Sequence, residues 1–117
     1  MGFITEALWQ IKQGEYKSAA KVLTENLDNG LNPTSRISLM EWIAECYLKC
    51  EELLLAANWF EKAGVSILEC AEIPNLERRR KAIRALEKAL DCHKDANNTT
   101  EIKRITLLKY SLAPSIQ

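Results

Sequence analysis

The chain has 117 residues, 47% of them hydrophobic, with sixteen Lys and Arg against sixteen Asp and Glu and a single His. A chain of this length and apolar content buries a core without a metal or a disulfide staple, so one domain over 1–117 is expected. Zero net charge excludes the globally basic and globally acidic classes. Met1-Gly2-Phe3-Ile4-Thr5-Glu6 has neither a basic leader nor a sustained apolar run, which predicts no signal peptide, no membrane span and a cytoplasmic protein.

Six helices are predicted, and no strand signal competes with them. Residues 3–13 carry Phe3, Ala7, Leu8 and Ile11 on one face and stop at Gly14, which favours a tight turn. The second helix, 16–28, lines up Ala19, Val22, Leu23 and Leu27 and ends at Asp28-Asn29-Gly30, ahead of Pro33. A third, capped by Ser35 or Ser38, runs to about Cys50 with Met40, Ile43, Ala44, Tyr47 and Leu48 on its face. From Leu53 to Ile73 the apolar positions never lapse, so one long fourth helix is expected to end at Pro74. Asn75 would cap the fifth, which holds Leu76, Ala82, Ile83, Leu86, Ala89 and Leu90 at helical spacing and runs to about Asp95. Asn97-Asn98-Thr99-Thr100 is a polar loop whose two glycosylation sequons read as capping chemistry for a last helix, 100–112, closed by Pro114.

Two stretches share a pattern at one spacing. Phe3, Ala7, Gly14, Tyr16, Ala19 and Leu23 are echoed by Met40, Ile43, Ala44, Tyr47, Leu53, Ala56, Phe60 and Ala63, offset by 37 positions. Small residues between large apolar ones let paired helices nest. The pattern resembles the tetratricopeptide repeat, with repeat one at about 3–29, repeat two at about 36–73 and an irregular helix pair at about 75–112. In that last pair Ala82, Leu86 and Ala89 imitate a second-helix motif, but only 26 residues after Ala56. The second half bears a looser likeness to SNAP-type helical solenoids. The resemblance implies an all-α fold, antiparallel hairpins stacked in a short right-handed solenoid.

It also implies a groove, lined by the first helix of each pair, that grips a segment of another protein. The matching positions are Ile4, Leu8, Ile11, Lys12, Glu41, Glu45, Leu48 and Lys49. Family members that clamp an acidic chaperone C-terminus use Lys and Asn where Ile4, Leu8, Glu41 and Trp42 stand here, so that clamp is absent. Apolar residues beside Glu41 and Glu45 point to a hydrophobic and basic partner segment. The competing reading covers Ile4 and Leu8 with another helix or a second subunit.

Charge is unevenly spread: residues 1–72 carry a net −5 and residues 73–117 a net +5. Such asymmetry fits a solvated surface, an internal match between the two halves, a basic surface awaiting an acidic partner, or contact between copies. Arg78, Arg79, Arg80, Lys81, Arg84 and Lys88 could neutralise phosphates, but Glu77, Glu87 and Asp91 are interleaved with them and no aromatic series is available for base stacking. Nucleic-acid binding is therefore the runner-up reading.

Cys46, Cys50, Cys70, Cys92 and His93 could be assembled into a zinc site only across helices, so reduced buried thiols are favoured and neither metal nor cofactor is expected. Paired acids such as Glu51-Glu52 fall at a helix start, where they complement its dipole. No phosphate loop, nucleophile elbow or metalloprotease pair occurs, which disfavours an enzyme. The expectation is a non-catalytic adaptor, scaffold or chaperone-like module that binds a protein or peptide of unspecified identity, with a self-assembling subunit as a third possibility.

Overall fold

A computed structural model describes residues 2–112 and holds six helices, with no strand among those residues: α1 (Gly2–Lys12), α2 (Tyr16–Glu25), α3 (Pro33–Lys49), α4 (Leu53–Glu69), α5 (Asn75–Asp95) and α6 (Thr99–Leu112). Each helix packs chiefly on the next in sequence, and the array measures 43 × 35 × 18 Å. The fold is all-α, built from helical hairpins. Pro114, expected to close α6, lies outside the described residues.

One turn recurs in all three hairpins. Gly14, Glu51 and Asn97 adopt left-handed backbone with φ of 78°, 61° and 57°. The following amide in each case donates back five residues: Glu15 to the carbonyl of Gln10 at 2.8 Å, Glu52 to Tyr47 at 2.9 Å and Asn98 to His93 at 2.9 Å. Gly14, Glu51 and Asn97 themselves donate to Ile11, Leu48 and Lys94. This is the Schellman geometry, which satisfies carbonyls that a helix end leaves open. Residue 51 follows 14 by 37 positions and 97 follows 51 by 46. The α5–α6 pair is thus a third hairpin with a lengthened first helix. Ala82, Leu86 and Ala89, which imitate a second-helix motif in the sequence, lie on that first helix, and Ala82 and Leu86 meet α4 at Gly64.

Several boundaries differ from the sequence reading. Helix α2 stops at Glu25, short of Asp28, while Asn26 turns its side-chain amide back onto the Val22 carbonyl. Helix α3 starts at Pro33 because Asn32, rather than Ser35 or Ser38, is the cap, its Oδ1 accepting from the Ser35 amide at 2.9 Å. Helix α4 ends at Glu69 instead of reaching Pro74. Cys70 turns extended, and the Arg78 guanidinium ties the turn down by donating to the carbonyls of Ile73 and Leu68 at 3.1 and 3.3 Å. Pro74, not Asn75, holds the position before α5.

Three apolar clusters run through the array. The first gathers Ala7, Ala19, Ala20, Leu23 and Ile43 from α1, α2 and α3. The second centres on Phe60 and Leu86 with Ala44, Ala56, Ala89 and Ile105, and the third joins Ile37, Ile67, Cys70, Ile73, Ala82 and Ala85. Ala19 and Ala56 are wholly buried, as nesting of small residues under neighbouring helices requires. Gly64 brings α4 close against α5: a Cβ there would stand 3.4 Å from the Ala82 carbonyl oxygen and 3.4 Å from the Ala85 Cβ.

Candidate docking groove

Helices α3 and α5 flank α4 and leave a cavity of about 310 Å³ between them. Thr34, Ile37, Ser38 and Glu41 form the α3 wall, and Lys81, Arg84, Ala85 and Lys88 form the α5 wall. Phe60 and Ile67 from α4, with Ile73, line the apolar part. The walls carry opposite charge. At one end they are joined, Lys88 Nζ lying 3.5 Å from Glu45 Oε2 and 5.5 Å from the centroid of the Phe60 ring. One turn upstream on each helix, Glu41 and Arg84 line the cavity, and neither has an ion-pair or hydrogen-bond partner among the described residues. A carboxylate and a guanidinium are thereby held beside apolar surface without a partner among the described residues.

The structure sorts the expected residues into different places. Glu41 lines the cavity, and Glu45 closes one end of it through Lys88. Ile4, Leu8 and Lys12 are exposed on α1, and Leu48 and Lys49 are exposed on α3; none of the five lines the cavity. Whereas the sequence reading expects an acidic, apolar groove along the first helices, this cavity is bipolar, because the basic stretch of α5 is its facing wall. Pairing of the two halves is also visible: Lys88 meets Glu45, and Arg104 meets Glu61 at 2.6 Å.

The basic stretch is not one patch. Arg78 is spent on backbone carbonyls, Lys81 pairs with Glu77 at 3.0 Å and Lys88 crosses to Glu45. Arg79 is half-buried, Arg80 is exposed, and Arg84 is the member whose side chain points at the cavity unpaired. The pair Glu51-Glu52 stands at the start of α4, as the sequence reading placed it. Glu51 closes the α3 turn, and Glu52 precedes α4 without a side-chain cap, paired with Lys17 at 2.7 Å.

Cys46, Cys70 and Cys92 are buried and Cys50 is half-buried, all four as free thiols. Burial pushes the Cys46 thiol up to about 11, reinforced by Cys50 and Glu45. Burial likewise pushes Cys92 up to about 11, reinforced by Asp95 and Asp91. Among the described residues no three His, Cys, Asp or Glu side chains group to hold a metal ion. His93 is buried with neither ring nitrogen hydrogen-bonded, at the register of Gln10 and Tyr47 in the other hairpins. No described helix is long and apolar enough to cross a membrane.

Sequence reasoning missed Phe60 as a groove residue and missed the α5 wall as its partner. One signal was available: Glu41 and Glu45 stand the same 43 positions before Arg84 and Lys88, so two acid–base pairs recur in step. Set against known protein families, curated proteins and solved structures, the chain has no match in any of the three comparisons.

Proposed function

We propose that the chain is a tetratricopeptide-like, non-catalytic binding module, an adaptor or scaffold that takes a segment of another protein into the groove between α3 and α5. The observation that supports this most is the pair Glu41 and Arg84, unpartnered on opposite walls beside Phe60 and Ile67. Leaving both charges unmatched at an apolar cleft gains nothing for the fold, whereas an occupant supplying an apolar anchor and one charge of each sign satisfies both. The recurrence of one turn in three hairpins adds to the repeat reading.

The test is a titration of short fluorescent peptides that carry an apolar anchor flanked by one acidic and one basic residue, beside all-acidic and all-basic analogues. The mixed-charge peptides are expected to bind most tightly, with Arg84→Glu and Glu41→Lys each weakening them severalfold. The proposal fails when no peptide of the set binds, or when both variants bind as the parent does. Arg84 is exposed and Glu41 half-buried, and helical circular dichroism checks that both variants fold.

A further inference from the structure

We infer that copies of this chain stack head to tail, the outer face of α6 seating on the outer face of α1 of the next copy. The repeated turn supplies the register. Shifting by 37 and then 46 positions aligns α1 with α3 and α5, and α2 with α4 and α6.

Inside the molecule, second helices seat on the first helices that follow them, α2 on α3 and α4 on α5. The receiving side of those seams is apolar: Met40, Ile43 and Cys46 on α3, and Leu86, Ala89 and Cys92 on α5, are all buried. Their counterparts on α1 are Phe3, Glu6 and Trp9. The donating side is built from Ala20 on α2 with Leu27 just past its end, and from Ala57 and Gly64 on α4, again all buried. Their counterparts on α6 are Lys103 and Tyr110.

Three observations meet at these two open faces. Leu107, Tyr110 and Trp9, at 71%, 60% and 59%, are the most exposed large hydrophobic side chains described, and all three lie on α6 or α1. Where the inner seams set Ala20 with Ile43 in one cluster and Ala57 with Ala89 in another, the ends present Lys103 and Glu6, which are opposite in charge. Where Gly64 receives Ala85, the ends present Tyr110 against Gly2, whose Cβ direction is open. A polar-faced terminal repeat would seal a stack, whereas these ends are apolar, oppositely charged and large against small in the register the inner seams use. Such a contact is heterologous: each copy keeps one donating and one receiving face, so growth does not stop at a dimer.

The test is light scattering and sedimentation of the 1–117 chain over a concentration series, with two blocked forms. Trp9→Glu blocks the α1 face, and Leu107→Glu with Tyr110→Glu blocks the α6 face; all three sites are exposed, and helical circular dichroism checks that both forms fold. The parent mass is expected to rise with concentration past the dimer, and each blocked form alone to stay monomeric. An equal mixture of the two should reach a dimer and stop, because only one good interface remains per pair. Glu6→Lys and Lys103→Glu should each weaken association severalfold, and the two in one chain should recover it. A parent that stays monomeric throughout, a blocked form that dimerises alone, or a mixture that stays monomeric would overturn the inference. Peptide binding in the groove is a separate readout and does not depend on the result.

Discussion

Arg104 on α6 lays its guanidinium along both carboxylate oxygens of Glu61 on α4, at 2.6 and 2.8 Å, and also reaches Glu101 at 2.7 Å. The fork matches the carboxylate and ties α6 to a helix two places back in the sequence. Arg104 is about half exposed, so solvent screening discounts the pair, and Arg104→Ala is expected to cost about 1 kcal/mol. Arg104→Lys keeps the charge but loses the fork and should recover only part of that, as read from urea unfolding of the three proteins.

The same cluster sets a pH dependence. The hydrogen bond from Arg104 holds the Glu101 carboxyl below its ordinary range, partly opposed by desolvation. A carboxyl depressed in the folded state contributes stability that is present above its unfolded value, about 4.3, and lost as pH falls through the folded one. The stability gap between the parent and Arg104→Ala should therefore hold steady from pH 7 to about pH 5 and narrow on further acidification. A gap that widens in acid would contradict the assignment.

Glu51 occupies the left-handed position that Gly14 fills in the first hairpin. A side chain there crowds the following carbonyl at roughly 1–2 kcal/mol, while glycine adds unfolded-chain entropy of about 0.4–1 kcal/mol. Glu51→Gly is expected to raise stability by about 0.5–1 kcal/mol, and Gly14→Ala to lower it by about 1 kcal/mol. Thermal unfolding of the two variants beside the parent gives both signs.

Which parts of this were legible follows from what a sequence pattern encodes. Ala19, Ala56 and Phe60 are buried as the recurrence of small and large residues requires, because helix nesting is a local, periodic constraint. The end of α4 was hidden because Cys70 and Ile73 stay apolar after the helix stops, packing in the third cluster from an extended turn. Periodicity reports burial and is silent on backbone there. The third helix pair was legible, but its kinship with the other two was hidden because Glu51 and Asn97 adopt a glycine-like conformation without being glycine, so the shared turn shows in φ and hydrogen bonds but not in residue type. The groove was half legible: Glu41 stands where the repeat pattern points, but its facing wall comes from residues 43 positions on, whose placement depends on how three helices stack.

Gly64 is the test of that stacking. Its missing side chain lets α5 approach α4 until the Ala82 carbonyl and Ala85 Cβ would lie 3.4 Å from an added Cβ. Alanine just fits, and its better helix propensity, about 1 kcal/mol, offsets the tight contact, so Gly64→Ala should stay within about 1 kcal/mol of the parent. Gly64→Leu must push α5 away and should cost about 1–3 kcal/mol by overpacking. Should leucine be as well tolerated as alanine in chemical denaturation, α5 does not sit where the structure places it.

The four thiols give a last reading of the same packing. Cys46 and Cys92 are buried with thiols pushed up to about 11, Cys70 is buried, and Cys50 is half-buried with its Sγ 3.5 Å from the Tyr47 carbonyl oxygen. The thiolate is the nucleophile, so at pH 8 iodoacetamide should modify Cys50 first and leave Cys46 and Cys92 intact until the protein opens. The linkage has a definite sign. A thiol whose pKa is raised by folding gives stability that is full below its unfolded value, about 8.5, and declines as pH climbs towards 11, since the unfolded chain ionises first. Unfolding free energy should therefore fall across that window, and Cys46→Ala with Cys92→Ala should flatten the fall while lowering stability at pH 7. Early modification of Cys92 in the native protein, mapped by mass spectrometry, would mean that the seam between α4 and α5 is open to solvent.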